Sequence, residues 1–256
     1  SNANDVWTNN KADLNVAAGA TFDAAEGSSL ANSGVFVDAL SGAGTIKVGY
    51  TAGGPYGNMI TFGVDNGSGT FDGVLANSTT AGNYTKAGNG TQILSGANTY
   101  TGNTTVNAGV LAVNGSLANT ATTVASTTSA RLQGSGLIVG PMTIGDKGTL
   151  APGNSIESLG VGALTFDTNS TFDFEFQTDL FAGTPDGSAD LVYSTGALSI
   201  APGALLTLSE LGTSTALAPG SKLTLVSYAG SAPAGVFTNG GSPLADGGNK
   251  TIAAST

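Results

Sequence analysis

The sequence predicts an all-β chain wound as a right-handed parallel β-helix, with a wider capping region toward its C-terminal end. Three observations carry that prediction. Short apolar strands are cut by Gly, Asn and Thr at nearly even intervals, and a Gly-x-Gly-(Thr or Leu) signature recurs along the first half. The composition favours turn and strand: 40 glycines in 256 residues and only 9% charged residues, with Gly, Thr and Asn all low on the helix scale. A hydrophobic fraction of 40% and a mean hydropathy of +0.15 call for a buried core, because disordered chains pair low hydrophobicity with high charge.

Ser1-Asn2-Ala3 reads as the scar of a cleaved expression tag and stands outside the fold. Residues 4–60 read as N-terminal solenoid coils, opening on Asn4-Asp5-Val6-Trp7 without a charged n-region or an apolar h-region. Residues 61–150 read as the repeat solenoid. The signature appears at Gly42-Ala43-Gly44-Thr45, Gly67-Ser68-Gly69-Thr70, Gly88-Asn89-Gly90-Thr91 and Gly134-Ser135-Gly136-Leu137, with gaps of 25, 21 and 46 residues. The last gap is two turns of about 23, a spacing that suits one coil of a β-helix, whose coils are stable only when stacked. Thr70–Leu75, Thr104–Val113 and Gly140–Ile144 place an apolar residue every second or third position, which marks half-buried strands. Asn66-Gly67, Asn89-Gly90, Asn114-Gly115, Asp72-Gly73 and Asp186-Gly187 read as positive-φ corners. Thr and Asn recurring at one place in successive coils would form ladders.

Residues 151–256 read as C-terminal coils and a cap, ending before any anchor. Leu164-Thr165-Phe166, Ser170–Phe176 and Ser188–Tyr193 are longer strand patterns, followed by Leu-rich runs at Ala204–Leu208 and Lys222–Val226. Phe172, Phe174 and Phe176 face one way, and Asp173 and Glu175 the other. Phe172, Phe174, Phe176, Leu164, Phe166, Leu223 and Leu225 are therefore the expected cap core, which protects the solenoid's last edge.

Residues 84–116, opening on Tyr84-Thr85-Lys86-Ala87-Gly88-Asn89-Gly90-Thr91-Gln92-Ile93-Leu94-Ser95-Gly96-Ala97-Asn98-Thr99-Tyr100-Thr101-Gly102, are the most informative stretch of the chain. It resembles the autotransporter-associated β-strand repeat of bacterial surface proteins, and Gly148–Ile156 resembles the segment that commonly follows such repeats. The resemblance covers roughly residues 60–240. It implies a passenger-type segment, exported and held at the cell surface or released, whose C-terminal coils help the passenger fold after export. The chain then reads as a piece of a longer exported protein.

Charge and composition exclude much chemistry. A net charge of −10 disfavours nucleic acid, whose phosphates are held by clustered Lys and Arg, and anionic membrane surfaces. No apolar run reaches the length of a transmembrane helix. Cys and His are absent, which removes disulfides, thiolate nucleophiles, the usual general base near neutral pH and the commonest transition-metal ligand. The Gly-x-Gly elements precede strands, so they are not nucleotide loops. The expectation is a protein with no catalytic residues, no metal and no cofactor.

Four features compete with that expectation. Asp173 and Glu175 lie about 7 Å apart on one strand face, within the separation of roughly 6.5–9.5 Å used by inverting glycosidases; the plainer reading is a solvated face opposite buried phenylalanines. Asp65-Asn66-Gly67 and Asp186-Gly187-Ser188-Ala189-Asp190 offer oxygens to calcium but match neither the β-roll nonapeptide nor an EF-hand loop. Asn77-Ser78-Thr79, Asn83-Tyr84-Thr85, Asn103-Thr104-Thr105 and Asn169-Ser170-Thr171 match the glycosylation pattern and read as corner and ladder residues. Finally, Tyr50, Tyr56, Tyr84 and Tyr100, where exposed, would stack on sugar rings. Tyr50–Asn58 is the longest break in the coil pattern, which makes Tyr50, Tyr56 and Asn58 the candidate contact loop. The combined reading is a stalk or display scaffold on the cell surface. The alternatives are an adhesin for cell-surface glycan or matrix, and a polysaccharide lyase or hydrolase.

Overall fold

In the computed structural model the described residues are 10–24, 34–49, 58–124, 129–177, 189–211, 223–229, 233–239 and 242–243. Among them there are strands and turns and no helix. The strands form a parallel β-helix. Each coil gives one strand to each of three faces: the first coil contributes Leu14–Val16, Thr21–Asp23 and Val35–Val37, the fourth Thr91–Leu94, Ala97–Asn98 and Thr104–Val106. The first face runs from Leu14–Val16 through nine coils to Leu205–Glu210 and ends on the hairpin of Thr238–Asn239 with Ser242–Pro243. The third face runs from Val35–Val37 to Leu198–Ile200, whereas the second is split into three strands (Thr21–Asp23 to Val74–Asn77) and six (Ala97–Asn98 to Val226–Tyr228).

Register explains the residue pattern. On the third face Val37, Phe62, Lys86, Val106, Val124, Ile144, Phe166 and Ile200 stack in one inward file, and every member is buried. One residue earlier, Thr61, Thr85, Thr105, Thr123, Thr143 and Thr165 stack in the alternate file, as period-two alternation requires. The β-branched threonine suits that pleated position.

Coil length varies more than the expected 23 residues. Phe71 pairs with Leu94, Leu94 with Val113 and Leu132 with Leu150, steps of 23, 19 and 18; Phe172 pairs with Leu206, a step of 34. The coils are therefore longest at the C-terminal end, where the first-face strands Thr171–Phe176 and Leu205–Glu210 are also longest.

The Gly-x-Gly signature marks two different corners. Gly42-Ala43-Gly44 and Gly134-Ser135-Gly136 turn from the first face to the second, whereas Gly67-Ser68-Gly69 and Gly88-Asn89-Gly90 lead from the third face to the first. The gap of 46 residues is thus a coincidence of unequal coils. The expected long alternations also break at corners: Thr70–Leu75 divides into Gly69–Phe71 and Val74–Asn77, and Thr104–Val113 into Thr104–Val106 and Gly109–Val113.

Backbone torsion is not what the glycines of the expected dipeptides supply; positive φ falls instead on the first glycine of three signatures, Gly42, Gly88 and Gly134. Of the dipeptides expected to hold positive φ, only Asn66 does so, at 71°; Asp186-Gly187 lies outside the described residues. Gly44, Gly73, Gly96, Gly115 and Gly136 instead stack in a column. A Cβ on any of the last four would strike the carbonyl oxygen of the glycine one coil before it.

The cap is aromatic. Leu164, Phe166, Phe172, Phe174 and Phe176 are buried, and Leu223 and Leu225 pack against them partly covered. Phe237 joins them unforeseen, its ring 4.8 Å from that of Phe166 and 5.7 Å from that of Phe172, within the range of favourable aromatic pairs.

Candidate functional site

Among the described residues the densest chemistry lies inside the rod, around the fourth coil. Lys86 (0% exposed), Gln92 (1%), Asn98 (3%) and Tyr100 (0%) all point into the core. A buried polar group is costly unless it is hydrogen-bonded, so each must find partners there.

Lys86 occupies the core position between Phe62 and Val106. Its Nζ donates to the carbonyl oxygens of Ala87, Gly88 (2.8 Å) and Ala108 (3.4 Å), so three ammonium protons meet three corner acceptors. Burial lowers its pKa to about 8, and the charge of Asp38 opposes that shift. Gln92 uses its whole amide. Oε1 accepts from the Leu40 N–H at 2.9 Å, while Nε2 donates to the carbonyls of Leu40 (3.0 Å), Gly69 (3.1 Å) and Ile93 (3.2 Å). Asn98 does the same on the second face: Oδ1 accepts from the Leu75 N–H at 2.9 Å, and Nδ2 donates to Gly96 O (3.1 Å) and Ser116 O (3.0 Å).

Tyr84 and Tyr100 are core residues, which corrects their reading as sugar-stacking groups. Both are buried, with ring centres 4.1 Å apart. The Tyr84 hydroxyl donates toward Ala76 O (2.9 Å) and Ile46 O (3.2 Å), and that of Tyr100 pairs with Thr104 Oγ1 at 2.6 Å. Burial pushes both phenols up from their ordinary pKa.

On the outer surface Asp173 and Glu175 do face away from the phenylalanines, both half-buried. Asp173 is held by Arg131, Nη1 to Oδ2 at 2.7 Å, and Arg131 Nε donates to Gln133 at 3.0 Å. Arg131 escaped sequence reasoning because two coils separate it from its partner, although as the sole arginine of an acidic chain it was worth pairing. Asp190 is buried and accepts N–H bonds from Glu157 (3.2 Å) and Glu175 (2.8 Å). Burial drives its pKa up to about 7 against the pull of those two N–H groups, with the charges of Glu175 and Asp173 adding to the rise. It closes the base of the loop whose ends meet at the Phe176–Ala189 bridge.

The remaining candidates resolve into structure. Asp65 pairs with Lys11 at 2.9 Å, and Asp38 Oδ1 accepts the N–H groups of Asp65 (2.7 Å) and Gly67 (2.8 Å). Among the described residues no three Asp, Glu, Cys or His side chains converge as metal ligands; Asp186, Gly187 and Ser188 lie outside them. Asn77 Oδ1 accepts from Gly82 and Thr101, and Asn83 Oδ1 from Asn103, so these asparagines tie corners together. Tyr50 and Tyr56 lie outside the described residues, and Asn58 is half-buried with its carbonyl accepting the Asn83 N–H at 2.7 Å. No helix of the described residues is long and apolar enough to cross a membrane.

No curated protein matches the chain. Residues 85–113, which hold Lys86, Gln92, Asn98 and Tyr100, match the family model of the passenger-associated-transport-repeat. Over that segment the chain is similar to that passenger repeat, and the segment lies within the β-solenoid.

Proposed function

We propose that the chain is a structural stalk or display scaffold of an exported bacterial surface protein, and that it is not an enzyme. One observation carries this reading. The passenger repeat directs its polar signature inward, onto main-chain groups of its own and neighbouring coils, rather than outward onto a partner. A motif written this way makes a rod cohere. The Arg131–Asp173 ion pair fits the same reading, since it ties the surfaces of coils that lie two apart.

The test is to remove the fifth and sixth coils together in the parent protein and follow a reporter at the tip. A scaffold keeps surface display and shortens its reach by roughly two coil spacings, each about 4.8 Å. Loss of a biological contact with display intact would refute the scaffold reading.

The adhesin reading draws support from a different face. Outward residues of the second face from Ala97 to Ala229 carry no charge, and Leu137, Val139 and Tyr193, each exposed by more than 40%, lie on it. Binding of neutral glycans that survives Tyr193→Ala would remove that face as the contact.

A further inference from the structure

The coils of this rod are not equally well joined. Two of the three faces lose ladder beside the third coil, at different interfaces. The first face loses it between the second and third coils and the second face between the third and fourth, each interface keeping its other two ladders. On the first face, Leu40–Gly42 and Gly69–Phe71 share the single register pair Gly42 with Phe71. On the second face, the sheet ends at Val74–Asn77 and a new one begins at Ala97–Asn98. The third face alone runs through both levels, by way of Met59–Phe62, Asn83–Lys86 and Thr104–Val106.

At each break a side-chain amide from the fourth coil stands where a peptide group would have been. Leu40 would be left with an unpaired N–H and C=O in the core; the Gln92 amide takes both, at 2.9 and 3.0 Å. It reaches past the third coil because position 69 is glycine, whose added Cβ would strike Leu40 O. Leu75 would likewise keep an unpaired N–H; Asn98 Oδ1 accepts it at 2.9 Å, beside the one backbone bond that spans this gap, from Thr99 N–H to Leu75 O at 2.9 Å. Buried backbone groups are nearly always paired, and here two primary amides complete the pairing.

We propose that Gln92 and Asn98 form a splice that locks the first three coils to the coils above, and that without it the solenoid separates into two blocks at the third coil. The inference concerns the cohesion of the rod and does not depend on what the rod displays. A solenoid is a sum of coils and nearest-neighbour interfaces, so a missing ladder lowers one interface and fixes where opening starts. Gln92 answers this by joining the second coil directly to the fourth.

Native-state hydrogen exchange resolves such an opening, because sub-global units exchange with their own free energies. The substitutions are Gln92→Met and Asn98→Leu, which keep volume and remove the amides. The Leu40 and Leu75 N–H groups are direct reporters, since each donates to one of these side chains. In the double variant, amides of residues 14–77 should lose protection by about a hundredfold or more, while those of residues 110–176 stay within about threefold of the parent. Equal loss over both blocks, or no loss at Leu40 and Leu75, overturns the splice. Should the double variant fail to fold, exchange of the parent chain in rising urea decides instead. Residues 14–77 should then open as a unit before residues 110–176, and a single simultaneous opening of all coils overturns the proposal.

Discussion

Gly96→Ala should be among the most damaging single-methyl additions to this chain, although Gly96 sits at a partly exposed corner with no unusual torsion. The new Cβ would strike the carbonyl oxygen of Gly73, a backbone atom fixed in the coil before it. With coils about 4.8 Å apart, the corner must lift by roughly 1 Å, an overpacking cost of about 1–3 kcal/mol. Lifting also stretches the bonds to the coil before, from Ser95 N–H to Phe71 O at 3.0 Å and from Thr99 N–H to Leu75 O at 2.9 Å, worth about 1 kcal/mol each. Against this, alanine stiffens the unfolded chain and returns about 0.4–1 kcal/mol. The net loss is about 2–4 kcal/mol. Gly160→Ala is the matched control: its Cβ comes too close to just the Cδ1 end of the exposed Leu137 side chain, at 2.8 Å, with backbone at ordinary contact from 3.7 Å. That side chain can swing away, so the effect should stay within about 0.5 kcal/mol. Urea unfolding followed by far-UV circular dichroism reads both as midpoint shifts. Equal shifts for the two variants, or a loss below about 0.5 kcal/mol for Gly96→Ala, would refute the glycine column as a close-approach device.

Phe172→Ala opens a cavity beneath Phe166, Phe174 and Phe237 and should cost about 3–5 kcal/mol in the same assay. Thr122→Val should instead stabilise by about 1 kcal/mol, because Thr122 Oγ1 is buried with no partner among the described residues; a loss of stability would count against it. Lys86→Met leaves the carbonyls of Ala87, Gly88 and Ala108 without their donor and should cost about 1–3 kcal/mol near neutral pH. Because the folded lysine titrates near 8 rather than 10.5, the unfolded chain binds the extra proton between those values. The parent's stability should therefore rise across that window, and the rise should vanish in Lys86→Met. Asp190 runs the other way: its folded pKa near 7 lies above the ordinary 3.8, so its contribution is full below 3.8 and is lost as pH rises through 7. Asp190→Asn should flatten that decline, as thermal midpoints across pH 4–8 would show.

How much of this was legible depended on whether a residue's role was local. The alternation Phe172-Asp173-Phe174-Glu175-Phe176 was readable because period two places each side chain without knowing the neighbouring strand. The cap core followed from it, except Phe237, which has no alternating companions to announce it. Lys86 was readable in principle, since it shares strand parity with Tyr84 and opposes Thr85; a charged residue in an apolar file reads as solvent-facing unless its carbonyl partners are known. The Gly-x-Gly signature misled because one wording serves two corners, and the face at which a glycine turns is a property of stacking, not of the string. Arg131 and Asp173 meet across two coils, a distance that only the true register supplies.

The same distinction bears on what the passenger repeat does. In a solenoid bound only by nearest-neighbour ladders, each interface can open without consulting the next, and long rods fray into partly unfolded stretches. Cross-links that skip a coil change this. Gln92 ties the fourth coil to the second, and Asn98 bonds both the third and the fifth, so opening one interface here breaks contacts that belong to two. The chain has no cysteine, so the disulfides that commonly staple exported domains are not available to it. Buried amides and a buried ammonium supply the cross-coil pins instead. They form only when neighbouring coils are already in register, because each aims at particular main-chain groups of those coils. A repeat that welds register in this way is most useful in a rod that must be both long and uniformly closed.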